Sequence, residues 1–217
     1  MDRLAAGAAL RPRRSRGADA KLLEAPDDAP VGMQLAALAS GVSVQAGRAA
    51  WRRMDPVTRS RLFEEALADL GKHDALPRMW EAAWFLFEVR LSSAAFAQLK
   101  RHRMAMILPS APGACGITVP PALSAAGLEG VLRRAASISG AASRGLQGPL
   151  SLYMTLNAHR RTALVGMNAR ELCRFSRLRE DAHAQWDIRG LASRMIALAR
   201  SRAPLTLAAA GGRSERV

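Results

Sequence analysis

Apolar and polar positions divide this chain into short alternating runs and longer runs of helical period. Lys21-Leu22-Leu23 reads as a short strand, closed by the turn-forming Pro26-Asp27-Asp28. Residues 33–53 read as helical pieces around Gly41. Asp55 then has the side chain of an N-cap and Pro56 suits the first helical position. Phe63, Ala66, Leu67 and Leu70 share a face behind them, and Gly71 supplies the stop. Further on, Phe85, Phe87 and Val89 alternate with Trp84, Leu86 and Glu88, which is the period of a strand. A helix from about Ser92 carries Phe96 and Leu99 inward and delivers Arg101, His102 and Arg103 at its end.

Residues 109–116, rich in proline, glycine and alanine, read as loop. From Leu123 to Leu156 the pattern is helical but interrupted by glycines, and Thr162 to Met167 reads as a short β-segment running into Asn168. Asn168 with Glu171 resembles a capping box. Leu172, Phe175, Leu178 and Ala182 continue one face, which Ile188, Leu191, Met195 and Leu198 extend to Pro204. About 34 residues at 1.5 Å rise predict a helix roughly 50 Å long, more than one small domain covers, so an oligomer is expected. The predicted fold class is α/β (α+β): a small β-sheet, several helices and one long C-terminal helix.

At 217 residues and 49% hydrophobic, the chain has enough apolar surface for one buried core. The organisation expected is an Arg/Ala-rich flexible N-terminal extension over 1–20, a single domain over 21–208 and a flexible tail over 209–217. Cys115 and Cys173 have no partners at metal-ligand spacing, so no metal is expected. Two free thiols, with no apolar run approaching a bilayer's width, fit a cytoplasmic protein outside the membrane. The net charge of +14 suits an anionic partner. Lys21, Lys72 and Lys100 are the only lysines, however, and the arginines are scattered. With few aromatic rings for base stacking, nucleic acid is a weak expectation.

The residues with chemical promise form two islands. Gln98-Leu99-Lys100-Arg101-His102-Arg103 concentrates cations that can neutralise a pyrophosphate or stabilise negative charge on a reduced ring. The bland alternative is a solvated helix end favoured by the carbonyl dipole. In the second island Arg179 and His183 are four apart and would share a helical face, with Phe175 one turn earlier and Trp186 later. Such a face could hold an anionic ring, or it could be a surface pair beside Glu180 and Asp181.

Taken together, Arg101-His102-Arg103, Asn168-Ala169-Arg170 and Ala184-Gln185-Trp186-Asp187-Ile188-Arg189 resemble the flavin-dependent thymidylate synthase family, from about Trp80 to Pro204. The resemblance implies a homotetramer that binds FAD between subunits. It implies NADPH as reductant, methylenetetrahydrofolate as one-carbon donor and conversion of dUMP to dTMP. It further implies that Arg101, His102, Arg103, Asn168 and His183 contact the flavin, with Glu81 at the place of the family's upstream glutamate. Gln98 and Arg179 would then face the pyrimidine, Arg179 as the catalytic residue.

The chain departs from the family pattern after the triplet. Where the family has Glu-x-Ser-x-Arg-Tyr, which holds the nucleotide's base and phosphate, Pro109, Ala111 and Gly113 stand in register, with Ser110 one residue early. The histidine of the family's Glu-His pair is Ala82 here, His73 being too far upstream to align. The arginine of its Ala-Arg-x-x-Leu-Pro segment is also missing from Ser151–Leu156. Arg160 and Arg161 are the nearest candidate replacements, unless they are simply a solvated turn. Two alternatives therefore stay open: a FAD-binding paralogue without synthase activity, acting on another substrate or regulating a partner subunit, and a nucleic-acid-binding protein.

Overall fold

In the computed structural model, which describes residues 19–71, 74–113, 115–146 and 148–211, a four-stranded antiparallel sheet is covered on one face by helices. The strands are β1 (Ala20–Glu24), β2 (Trp84–Ser92), β3 (Met106–Pro109) and β4 (Arg160–Asn168), in the order β1-β2-β4-β3. Nine residues of β2 pair with β4, from Trp84 opposite Asn168 to Ser92 opposite Arg160. Strand alternation decides which face is buried. Phe85, Phe87, Val89 and Leu91 of β2, with Ala163, Val165 and Met167 of β4, are nearly inaccessible to solvent. Trp84, Met106 and Leu108 stand exposed on the opposite face.

The predicted scaffold is present. Gly41 separates α1 (Ala29–Ser40) from α2 (Val44–Arg53) in the left-handed conformation, with φ of 63°. Asp55 caps α3 (Pro56–Leu67) by accepting from the amides of Val57 and Thr58. That helix ends at Leu67, so Gly71 lies in the turn beyond it. Phe63 of α3 sits edge-on between Trp51 and Trp80, with ring centroids 6.0 and 5.7 Å apart. The Trp80 indole N–H donates to the Thr206 carbonyl at 2.7 Å, and Asp28 accepts from the amides of Leu205 and Thr206. These bonds fasten the C-terminal segment under the N-terminal helices.

After β2, the helix expected from about Ser92 is α4 (Ser93–Leu99), and Ser92 caps it by accepting from the Ala95 amide. The segment read as interrupted helix from Leu123 takes in the end of α5 (Pro121–Ala125), all of α6 (Glu129–Arg144) and a 3-10 stretch over Gly148–Met154. Two readings need correction. The four residues of β3 were not anticipated, and Pro109, assigned to loop, closes that strand. The long C-terminal helix is two helices, α7 (Ala169–Arg179) and α8 (Trp186–Arg200). Asp181 Oδ1 accepts from the His183 amide, and Gln185 Oε1 accepts from the amides of Asp187 and Ile188. Local side-chain bonds thus compete with helix continuation over 180–185. Folded back, both helices reach the same core, α8 packing on β1, β2, α4 and α7. Helix length therefore no longer argues for an oligomer.

The expected N-terminal extension lies outside the described residues, apart from Asp19 and Ala20. Of the expected tail, 212–217 lie outside them too. The Gly211 amide donates to Ser176 Oγ, and Arg200 to the Ala210 carbonyl. Among the described residues no helix is long and apolar enough to cross a membrane.

Close approach of α1 and α2 depends on Gly47, where an added Cβ would lie 2.4 Å from the Met33 carbonyl oxygen and 2.6 Å from Ala37 Cβ. Gly190, in the interior of α8, has open space instead. Gly47→Ala is expected to destabilise the protein by about 1–3 kcal/mol through overpacking, and Gly190→Ala to stabilise it by about 0.5–1 kcal/mol. Denaturant midpoints of the two variants moving in opposite directions would bear this out.

Candidate active site

The two islands meet at the end of α4. His102, two residues past the C-cap Lys100, is almost fully buried and lies edge-on to Phe175 of α7, with centroids 5.0 Å apart. Its Nδ1 is 2.9 Å from Glu171 Oε1, and its Nε2 accepts from Arg179 Nε at 3.1 Å. Since a guanidinium nitrogen only donates, Nε2 must present a lone pair and Nδ1 must carry the proton given to Glu171. The geometry selects one neutral tautomer of His102.

Arg179 is then held on three sides. Besides His102, its Nη1 donates to Gln98 Oε1 at 3.2 Å and its Nη2 to the Gln98 carbonyl at 3.3 Å. All three direct acceptors are neutral, and Glu171 lies across the imidazole. Burial and the nearby charge of Arg101 both lower the Arg179 pKa from the ordinary arginine value. The guanidinium stays charged at neutral pH. Three of its five N–H donors are engaged, so it retains donors and charge for an anionic or carbonyl-bearing ligand.

Asn168 and Glu81 belong to an adjoining cleft, bounded also by Met104, Arg170, Arg174 and Arg177. Asn168 caps α7 by accepting from the Glu171 amide at 2.9 Å. The reciprocal half of the predicted capping box is missing, because the Glu171 carboxylate goes to His102 instead. Glu81 pairs with Arg170 at 3.0 Å, and Arg170 also donates to the Leu76 carbonyl. Arg101 and Arg103 are exposed on either side of buried His102.

His183 is not gathered into this group. Because α7 ends at Arg179, His183 does not share its helical face; it lies in the 180–185 loop with its side chain 98% exposed, bonded to Asp181. Sequence reasoning also missed two residues. Glu171 was assigned only to the cap, although a buried histidine needs a partner for each ring nitrogen. Arg170 was noticed only as part of a motif.

The segment standing in place of the family's phosphate motif is committed to structure. The Ser110 amide donates to the Thr162 carbonyl at 2.8 Å, Ser110 Oγ accepts from the Thr162 amide and hydroxyl, and the Gly113 amide donates to the Arg160 carbonyl at 2.8 Å. Ser110 thus splices β3 to β4.

Removing the carboxylate should expose the role of Glu171. Glu171→Ala is expected to cost about 1–3 kcal/mol, as a buried Nδ1–H loses its acceptor, whereas Glu171→Gln keeps an acceptor and costs less. Nitrogen NMR of the His102 ring should show the neutral Nδ1–H form in the wild type and in Glu171→Gln, with that preference lost in Glu171→Ala.

Residues 150–205 match the family model described as thymidylate synthase complementing protein. The match takes in β4, α7 and α8, with Asn168, Glu171 and Arg179, but not the α4 side of the network. Comparison with curated proteins gives no significant match. Among solved structures, a UMP/dUMP methylase, PolB from Streptomyces cacaoi bound with 5-Br dUMP, superposes with a TM-score of 0.72 at 18% identity, covering 89% of this chain and 95% of PolB. The same methylase bound with 5-Br UMP gives 0.67 at 16% identity, covering 88% and 92%. The resemblance carried by the motifs is therefore upheld: this chain has the fold of PolB and carries the thymidylate synthase complementing protein signature over residues 150–205.

Proposed function

We propose that the protein methylates a pyrimidine nucleotide as a flavin-dependent enzyme of the thymidylate synthase type, taking dUMP to dTMP with methylenetetrahydrofolate and NADPH. The observation that carries this reading is Arg179: a half-buried cation whose three direct acceptors are neutral, fixed by His102 and Gln98. Such a group can bind a uracil carbonyl and stabilise negative charge that develops on the ring during chemistry at its carbon. Gln98, with its amide beside Arg179, would orient the same base. Arg101, close enough to lower the Arg179 pKa, increases the demand for an anion.

The residues present fit FAD. Beside buried His102, the cleft that contains Glu81, Asn168 and Arg170 offers cations for a pyrophosphate and polar groups for a ribose. Asn168, Glu81, Arg101, His102 and Arg103 would hold the cofactor, and Met104 would add an apolar wall. When bound, the flavin supplies hydride transfer. His102 would act by position, since both ring nitrogens are occupied by Glu171 and Arg179. His183, exposed in its loop, would reach the cofactor only from the rim. The exposed Trp84, Met106 and Leu108 of the outer sheet face support a homo-oligomer.

The rebuilt segment at 109–113 favours a second reading, a FAD-binding paralogue with a different acceptor. Its side chains bring no cation to a phosphate, and its serine is bonded to Thr162.

Visible absorption of the purified protein separates the readings. Bound FAD whose spectrum shifts on adding dUMP, with restored thymidine-independent growth of a synthase-deficient strain, is the expected result. FAD without either response would select the paralogue, and a colourless protein that refuses added FAD would sink both. Arg179→Ala is expected to weaken dUMP binding about ten- to hundredfold, the loss of charge-assisted hydrogen bonds, while leaving flavin absorption in place. His183→Ala should change dUMP affinity by less than about threefold, as expected for a nearly fully exposed side chain. Equal losses in the two variants would remove Arg179 from its assigned role.

A further inference from the structure

Arg160 and Arg161 are adjacent on β4 but face opposite sides of the sheet, and the two sides treat their charges differently. Arg160 is neutralised by an ion pair with Asp19. Arg161, opposite Leu91, stands in the core-facing row that continues through Ala163, Val165 and Met167. In place of another apolar side chain, that row ends in a cation. Its guanidinium lies over the Phe96 ring of α4, 4.3 Å from the centroid. Among the described residues no carboxylate pairs with it, and its Nε is buried without a hydrogen-bond partner. Burial lowers its pKa from the ordinary arginine value, the direction expected for a cation partly removed from water with no counter-charge.

Such a placement carries a desolvation cost that a solvated turn would avoid, and the stacked ring offsets part of it. It also holds the planar fork in one orientation, which suits two-point binding of an oxyanion. The neighbouring loop leaves room in the chemistry for that role: Ser110 and Gly113 are tied by their backbones to Thr162 and Arg160, on either side of Arg161, and neither brings a charge. Phe96 and Gln98 are two residues apart on α4, about 200° around the helix. The Arg161 site therefore lies on the other flank of α4 from Gln98 and Arg179.

We propose that Arg161 is a phosphate-binding residue, its guanidinium fixed over Phe96 to receive the oxygens of a phosphate monoester. The assignment stands apart from the flavin reading. The phosphate can belong to the nucleotide substrate or be free in solution, and the test distinguishes the two. The full chain is titrated with inorganic phosphate, with dUMP and with deoxyuridine, following the Arg161 Nε–H resonance by NMR and affinity by calorimetry.

The resonance, identified by its loss in Arg161→Met, is expected to shift with phosphate or dUMP and to stay put with deoxyuridine. Arg161→Met keeps the side-chain stem over Phe96 and is expected to weaken phosphate-ligand binding about ten- to hundredfold. Arg161→Lys, which keeps the charge but not the fork, should fall between the two. A loss of dUMP affinity in Arg161→Met that deoxyuridine does not share assigns the site to the nucleotide's own phosphate; a loss confined to inorganic phosphate assigns it to free phosphate. A shift with phosphate but no binding of dUMP would defeat the nucleotide reading above and still uphold Arg161. A resonance unmoved by either phosphate ligand, or unchanged affinities in a folded Arg161→Met, would overturn the proposal.

Discussion

A single proton sets the arrangement at the centre of this protein. With Arg179 Nε donating to His102 Nε2 and the Glu171 carboxylate facing Nδ1, the imidazole has to carry its hydrogen on the Glu171 side. A ring protonated on both nitrogens would oppose two donors, and the other neutral tautomer would oppose lone pair to carboxylate as well. Burial strengthens this choice, because neither nitrogen can turn to water. The result is a cation and an anion joined through a neutral ring, Arg179 to His102 to Glu171. It links the end of α4 to α7.

Several parts of the fold decide whether that network can form. Ser92 and Asn168 cap the helices that begin at opposite ends of the β2–β4 ladder, and the antiparallel pairing of those strands fixes how far apart the two helices start. The break at 180–185 has an equal share. Were α7 to continue as one rod, Arg179 would lie in mid-helix with a further turn beyond it. Instead the helix stops there, and α8 returns to pack on α4. The cost of the break is limited by the bonds of Asp181 and Gln185.

Legibility followed the range of the forces involved. Strand alternation in 84–89, the Asp55-Pro56 start and the helix start near Ser92 are local and were read correctly, because each depends on residues within a turn or on a period of two. The two-helix break was missed because Ala182 and Trp186 carry the apolar period across a segment whose polar side chains prefer their own backbone. For β3 there was little to read: four residues whose identity as a strand comes from pairing with β4, more than fifty residues later. At the site, Gln98, His102 and Arg179 were singled out and do converge, whereas Glu171 was hidden by its place in a capping pattern. Its carboxylate had two local options, the helix start or a buried histidine 69 residues away in sequence, and burial decided between them.

The match to residues 150–205 and the superposition on PolB bear on different parts of this arrangement. The family-model match over residues 150–205 spans Glu171 and Arg179 but not Gln98 and His102, which complete the network from the other side. At 18% identity the superposition shows a shared fold and not which side chains meet at the end of α4. The hydrogen bonds close that gap, since Arg179 would have neither its Nε acceptor nor its Nη acceptors without residues 98–102.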